Sequence, residues 1–139
     1  MQQIQPYLFF EGRAEEALAF YQKAVGAKVG MLMRYKDAPD PNSCAPGMGD
    51  KVMHGAVEIG DSLVFVSDGR NSGKANFDGF SISYAAKSDA EARRLFEALS
   101  EGGDVLQAPV ETFFASTFAM LRDKFGLHWM LIAGMRHPS

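Results

Sequence analysis

The sequence predicts an α+β fold of two βαβββ modules that form a curved, half-open mixed sheet around a cleft. Three observations carry this reading. One pattern is written twice: Ala14-Glu15-Glu16-Ala17-Leu18-Ala19-Phe20-Tyr21, running on to Gly26-Ala27-Lys28-Val29, is echoed by Ala90-Glu91-Ala92-Arg93-Arg94-Leu95-Phe96-Glu97, running on to Gly102-Gly103-Asp104-Val105. Each helical stretch is preceded by one strand-like run and followed by three. A small, polar stretch, Asn71-Ser72-Gly73-Lys74-Ala75-Asn76, separates the copies. The chain therefore reads as a single domain, residues 1–139, made of a first module (1–70) and a second (77–135). Duplicated modules are expected to enclose one concave surface between them, which is where a ligand site is sought.

The first strand is aromatic-rich, spans residues 4–10 and stops at Glu11-Gly12. Pro6 cannot donate to a ladder and marks an edge position or a strand start. The first helix puts Ala14, Ala17, Leu18, Tyr21, Ala24 and Val25 on one face and stops at Gly26. A strand over 28–35 follows, then a loop from Lys36 to Lys51, then strands over 52–59 and 62–68 joined by the hairpin turn Gly60-Asp61. The second module opens with a strand over 78–86. Its helix begins at Ser88-Asp89-Ala90-Glu91, a capping box, and buries Ala92, Leu95, Phe96 and Leu99. Strands over 104–107, 115–122 and 127–133 complete it.

Composition narrows the function classes. At 47% hydrophobic content the chain has a full core without disulfides or a structural metal. Its 14 basic and 17 acidic residues are intermixed, with no basic run, which argues against nucleic acid and acidic membrane surfaces as partners. A lone cysteine, Cys44, allows no internal disulfide, and no apolar stretch reaches the length of a membrane span. Without a signal-peptide pattern at Met1-Gln2-Gln3-Ile4-Gln5-Pro6, the expectation is a reducing, cytoplasmic setting.

Strand alternation decides which side chains reach a ligand. In the strand 52–59, Met53, Val57 and Ile59 share the core face, while Val52, His54, Ala56 and Glu58 share the other. His54 is the candidate for chemistry, because a neutral imidazole serves as general base, hydrogen-bond donor or metal ligand. A histidine hydrogen-bonded across the sheet is the other use of that position. Glu58 cannot share an ion with it, since four strand residues separate them by about 13 Å. His128 reads as a strand-end histidine near solvent, and His137 belongs to the tail. Tyr7, Phe9 and the run Thr112-Phe113-Phe114 offer aromatic surface against which a planar ligand can stack. Ser67 and Asp68 cap a turn or supply polar contacts at the cleft mouth. Cys44 has no neighbouring base to activate it, and the loop 36–51 around it is long enough to act as a lid.

Together with the paired βαβββ pattern and Phe20-Tyr21, several segments resemble the vicinal oxygen chelate superfamily of glyoxalases, extradiol dioxygenases and bleomycin-resistance proteins. They are Pro6-Tyr7-Leu8-Phe9-Phe10-Glu11-Gly12, Val52-Met53-His54-Gly55-Ala56, Ser67-Asp68, Glu111-Thr112-Phe113-Phe114 and Asp123-Lys124-Phe125-Gly126-Leu127-His128-Trp129. The likeness is greatest to the PhnB-like branch, whose members carry a 3-demethylubiquinone methyltransferase-like label. The resemblance implies a divalent metal held by His and Glu side chains. Position by position, those ligands fall on Gln5 or Pro6, on Phe65 or Val66, on Gly79 or Phe80, and on Met130. Three of the four positions have lost donor chemistry, and a lone neutral amide is a weak ligand. The label's methyl-transfer chemistry finds no glycine-rich nucleoside-cofactor turn in this chain.

The resemblance implies a homodimer, and the loss of donors at those positions makes the expectation a protein that binds an unidentified small molecule with no metal and no cofactor. Its pocket is expected to be lined by Tyr7, His54, Phe65, Phe80, Phe113 and Met130. The alternative is an enzyme of lyase, isomerase or dioxygenase type, with a rearranged metal site or acid–base chemistry involving His54. A protein-interaction role, with the cleft vestigial, is the third possibility.

Overall fold

The computed structural model describes residues 2–39 and 47–136. It divides between Ala75 and Asn76 into two compact units, each a βαβββ module with its own four-stranded sheet.

The first module runs β1 (Tyr7–Phe9), α1 (Ala14–Val25), β2 (Lys28–Arg34), β3 (Val52–Ile59) and β4 (Ser62–Ser67), with a single 3-10 turn over Tyr35–Asp37. Its sheet has the order β1-β4-β3-β2, with β1 parallel to β4 and the other pairs antiparallel. β1 is shorter than the expected 4–10 and lies at the sheet edge. Pro6 gives the ladder only an acceptor, its carbonyl taking the Phe65 N–H at 2.9 Å, so regular pairing starts at Tyr7.

The helix α1 buries Ala14, Ala17, Leu18, Tyr21 and Ala24, while Val25 sits half-buried at the margin of that stripe. Gly26 ends it in the left-handed conformation, at φ 68°, which a side chain would strain. No side chain at its own N-cap closes the other end. That role falls to Asp68, whose Oδ1 accepts the Gly12 N–H at 3.0 Å and the Ala14 N–H at 2.8 Å.

The alternation expected along β3 breaks at one place. Met33 pairs with His54 and Arg34 with Val52, which leaves Met53 as an extra, bulged residue. The bulge turns Val52 into the core, fully buried, and leaves Met53 only half-buried, correcting its assignment to the core face. Beyond the bulge the expected face holds, with Val57 and Ile59 buried. The turn Gly60-Asp61 joins β3 to β4 as a two-residue hairpin flanked by the pair Ile59 and Ser62.

The second module runs β5 (Ile82–Ala85), α2 (Asp89–Ser100), β6 (Asp104–Val110), β7 (Ala115–Arg122) and β8 (His128–Met135), in the sheet order β5-β8-β7-β6. β5 is shorter than the expected 78–86, because Asp78-Gly79 forms a turn with Gly79 at φ 87°. The helix α2 buries the expected Ala92, Leu95, Phe96 and Leu99. Ser88 Oγ accepts the Glu91 N–H at 3.1 Å, but the reciprocal bond differs from the expected box: Glu91 Oε1 accepts the N–H of Lys87, one residue earlier. In β7, Ala115, Thr117, Ala119 and Leu121 are buried while Ser116, Phe118, Met120 and Arg122 are half-buried. Asp123 organises the turn into β8, its Oδ1 accepting the Phe125 and Leu127 amides and its Oδ2 the Trp129 indole N–H at 2.9 Å.

Candidate aromatic binding face

In the first module, β1 lies parallel to β4 with Tyr7 opposite Phe65, and β4 lies antiparallel to β3 with Phe65 opposite Ala56. Residues opposite one another in a ladder send their side chains to the same side. Tyr7, Phe65 and Ala56 therefore form one row, with Phe9 two residues along β1 and His54 two residues along β3. This face is opposite the one on which Leu8, Val57, Val64 and Val66 are buried.

Four rings meet there. Tyr7 stacks on Phe9 with centroids 5.1 Å apart and an interplanar angle of 20°. Tyr7 lies 5.5 Å from the His54 ring and 5.8 Å from Phe65, and His54 lies 5.2 Å from Phe65. Two of these residues are also joined by a hydrogen bond, the Tyr7 hydroxyl and His54 Nδ1 lying 2.8 Å apart. Burial, with the Tyr35 phenol as a second cause, pushes the Tyr7 ionisation above the ordinary tyrosine range. The rings are not sealed away: Tyr7 is 42% exposed and Phe9 49%. Three of the sequence-derived candidates, Tyr7, His54 and Phe65, are thus brought together.

The other three belong to the second module, where Phe114 links Phe113 to Phe118, with the Phe114 and Phe118 ring centroids 5.2 Å apart. Phe80 is 44% exposed and meets Phe77 edge-on at 6.3 Å. Phe113 is 86% exposed and packs edge-on against Phe114. Met130 is half-buried on the open face of the second sheet, opposite Ser83 on β5 and Met120 on β7. Phe118 and Met120 share that face and were missed in the sequence, although the alternation along 115–122 marks them.

The remaining candidates have structural or neighbouring roles. Asp68 is a buried cap that also accepts the Val52 N–H through Oδ2 at 2.7 Å, and the buried Ser67 Oγ accepts the Gly69 N–H at 2.9 Å in the turn that Asp68 opens. His128 is half-buried rather than near solvent, its Nε2 3.8 Å from Asp78 Oδ1. That nitrogen and Ser81 Oγ are buried without a hydrogen-bond partner among the described residues. The base of the expected lid is tied down, with Lys36 Nζ on Asp50 at 2.9 Å and the Lys36 N–H on the Gly49 carbonyl. Residues 40–46 of that loop, with Cys44, and the tail histidine His137 lie outside the described residues.

The metal that the fold family implies does not fit these residues. At the positions matched to its ligands stand Gln5, Phe65, Phe80 and Met130, and the Gln5 amide already donates to Gln3 Oε1 at 2.7 Å. The imidazole of His54 has the rings of Tyr7 and Phe65 at 5.5 and 5.2 Å. Among the described residues no three His, Cys, Asp or Glu side chains are grouped to hold an ion. No helix among them is long and apolar enough to cross a membrane.

Comparison with known proteins places this geometry in a family. The profile described as 3-demethylubiquinone-9 3-methyltransferase matches residues 2–132. The chain is 31% identical to Protein YjdN of Escherichia coli K12, with 98% of each chain covered. The crystal structure of protein PA1353 from Pseudomonas aeruginosa is similar at TM-score 0.83 and 34% identity, covering 98% of this chain and all of that one. A Bacillus cereus structure titled putative 3-demethylubiquinone-9 3-methyltransferase, PhnB protein, is similar at TM-score 0.78 and 25% identity, over 96% of this chain and all of that one. A glyoxalase/bleomycin resistance protein/dioxygenase family enzyme from Burkholderia phytofirmans shares the fold at TM-score 0.58 and 14% identity, over 95% of this chain and 96% of that one. With two βαβββ modules and a profile match over nearly its whole length, the chain belongs to the PhnB-like 3-demethylubiquinone-9 3-methyltransferase family of the glyoxalase/bleomycin resistance fold.

Proposed function

We propose that this protein binds a small, largely planar organic molecule on the open aromatic face of its first sheet, without a metal ion. One observation carries the reading: the rings of Tyr7, His54 and Phe65 lie 5.2–5.8 Å from one another, Phe9 stacks on Tyr7 at 5.1 Å, and Tyr7 and Phe9 stay partly exposed. Aromatic surface with one or two placed polar groups is the composition of small-molecule sites, since rings supply contact area and the polar atoms set orientation. Met130, with Phe118 and Met120, offers a second apolar face of the same kind. Phe113 adjoins that second face through Phe114, which meets Phe118 edge-on at 5.2 Å, while Phe80 pairs with Phe77. The test is a thermal-shift screen against small aromatic compounds. A ligand present at a hundred times its Kd stabilises the native state by about 2.7 kcal/mol, and a screen without any stabilising compound opposes the reading.

A second reading, acid–base catalysis at the same place, is favoured by the Tyr7–His54 hydrogen bond. A bound compound recovered unchanged after long incubation separates binding from catalysis. A cytoplasmic setting and a homodimer belong to the same proposal. The dimer is supported by β6, an edge strand on which Val105, Leu106 and Val110 are exposed.

A further inference from the structure

The chemistry of the ligand follows from where one proton sits, and this inference rests on the binding reading above. Tyr7 Oη and His54 Nδ1 are 2.8 Å apart, so a single hydrogen lies between them. A phenol is a good donor and a poor acceptor, whereas the unprotonated nitrogen of an imidazole is a good acceptor. Burial, and secondly the Tyr35 phenol, raise the Tyr7 ionisation, so its oxygen keeps the proton. Tyr7 therefore donates, Nδ1 accepts, and the neutral imidazole carries its own hydrogen on Nε2. Among the described residues the one hydrogen bond of the His54 side chain is that with Tyr7 at Nδ1, and the rings of Tyr7 and Phe65 lie 5.5 and 5.2 Å from the imidazole.

We propose that His54, held by Tyr7 in the Nε2–H tautomer, is a specificity-determining donor that selects planar ligands bearing a carbonyl or carboxylate oxygen over planar ligands that offer only donors. An acceptor oxygen completes the hydrogen bond while the ligand's ring covers Phe9 and Phe65. A donor-only ligand sets N–H against N–H and strips water from both. The preference expected of one such hydrogen bond at a partly exposed site is about 10-fold in affinity. A second copy of the chain is a poorer occupant, because a single directional donor among flat rings suits a small molecule that can slide into register.

The experiment has two arms. Long-range proton–nitrogen NMR of the unliganded protein, at mildly alkaline pH, reads the tautomer of His54 directly. The expected result is a protonated Nε2 and an unprotonated Nδ1, with this bias weakened in Tyr7→Phe. A protonated Nδ1 in the wild type overturns the proposal. In the second arm benzoate, acetophenone and benzylamine are titrated and mapped by NMR. Benzoate and acetophenone are expected to bind about 10-fold more tightly than benzylamine and to shift the His54 Nε2 resonance. Tyr7→Phe should narrow that preference while retaining binding, and His54→Gln, whose amide offers both donor and acceptor, should remove it. Equal affinity for the three probes overturns the inference and leaves the binding reading standing. Failure of all three to perturb this face removes both. Resonances of the face that move on dilution without a probe show a second copy there, and also overturn it.

Discussion

Asp68 Oδ1 accepts the Ala14 amide at 2.8 Å, so the residue just beyond the last strand of the first module fixes the first residue of its helix. The same carboxylate takes the Gly12 and Val52 amides, and Asp68 is 1% exposed. Three backbone donors thus depend on one buried side chain that replaces a helix cap of the usual kind. Asp68→Asn keeps the shape but turns one acceptor into a donor, set against at least one of those amides. The expected loss is about 2–3 kcal/mol of unfolding free energy, from one unsatisfied buried amide and weakened charge-assisted bonds. Chemical denaturation measures it, and a loss below about 0.5 kcal/mol would contradict the capping role.

Much of this architecture is legible in the sequence because its signals are local. The stripe Ala92, Leu95, Phe96, Leu99 has the helical period, and Gly60-Asp61 is a turn between two alternating runs. What was not legible depends on contacts between distant segments. The bulge at Met53 exists only in the pairing of β3 with β2, and it moves Val52 into the core. The three-way role of Asp68 needs α1, β3 and the end of β4 in one place. The site shows the same division. Alternation puts His54 opposite Val57, but its partnership with Tyr7 comes from the parallel register of β1 on β4, which carries no local signal. The run of Phe113 lies between strands, where alternation does not govern the direction of a ring, so its contact through Phe114 with Phe118 had no local signal.

The protein purified without chelator is expected to carry no stoichiometric divalent metal. Gln5, Phe65, Phe80 and Met130 stand where the fold family places donors, and an ion there would lack the carboxylate and imidazole ligands it needs. Elemental analysis checks this. About one zinc, nickel, iron or manganese per chain, lost together with stability on chelation, would contradict it.

A homodimer in solution is the next expectation, supported by the exposed apolar residues of the edge strand β6. Multi-angle light scattering should give twice the chain mass at micromolar protein. Replacing Val105 and Leu106 with lysine should shift the mass toward the monomer if β6 takes part. A monomer mass independent of concentration speaks against the dimer.

Asp89 gives the second module a dependence on acid. The Ser116 hydroxyl first, then that of Thr117, donate to its Oδ1 at 2.6 Å and hold its carboxyl below the ordinary range. A pKa lower in the folded state than in the unfolded chain means that the contribution is fully present above the unfolded value, about 3.9. It is lost as the pH falls through the lower, folded value. The stability gap between the wild type and Asp89→Asn is therefore widest near neutrality and closes in acid. Denaturation curves for the two proteins from neutral to acidic pH measure it, and two parallel stability profiles would contradict the assignment.

The central claim, that the face made by Tyr7, Phe9, His54 and Phe65 is a ligand site rather than incidental exposed core, is tested most directly by a pair of numbers on His54→Ala. These are its affinity for a small aromatic compound that stabilises the wild type, and its unfolding free energy. Loss of one neutral hydrogen bond at the site predicts affinity weaker by about 0.5–1.5 kcal/mol, with unfolding free energy close to that of the wild type. Unchanged affinity together with a large loss of stability would assign His54 to holding the sheet together and remove the site.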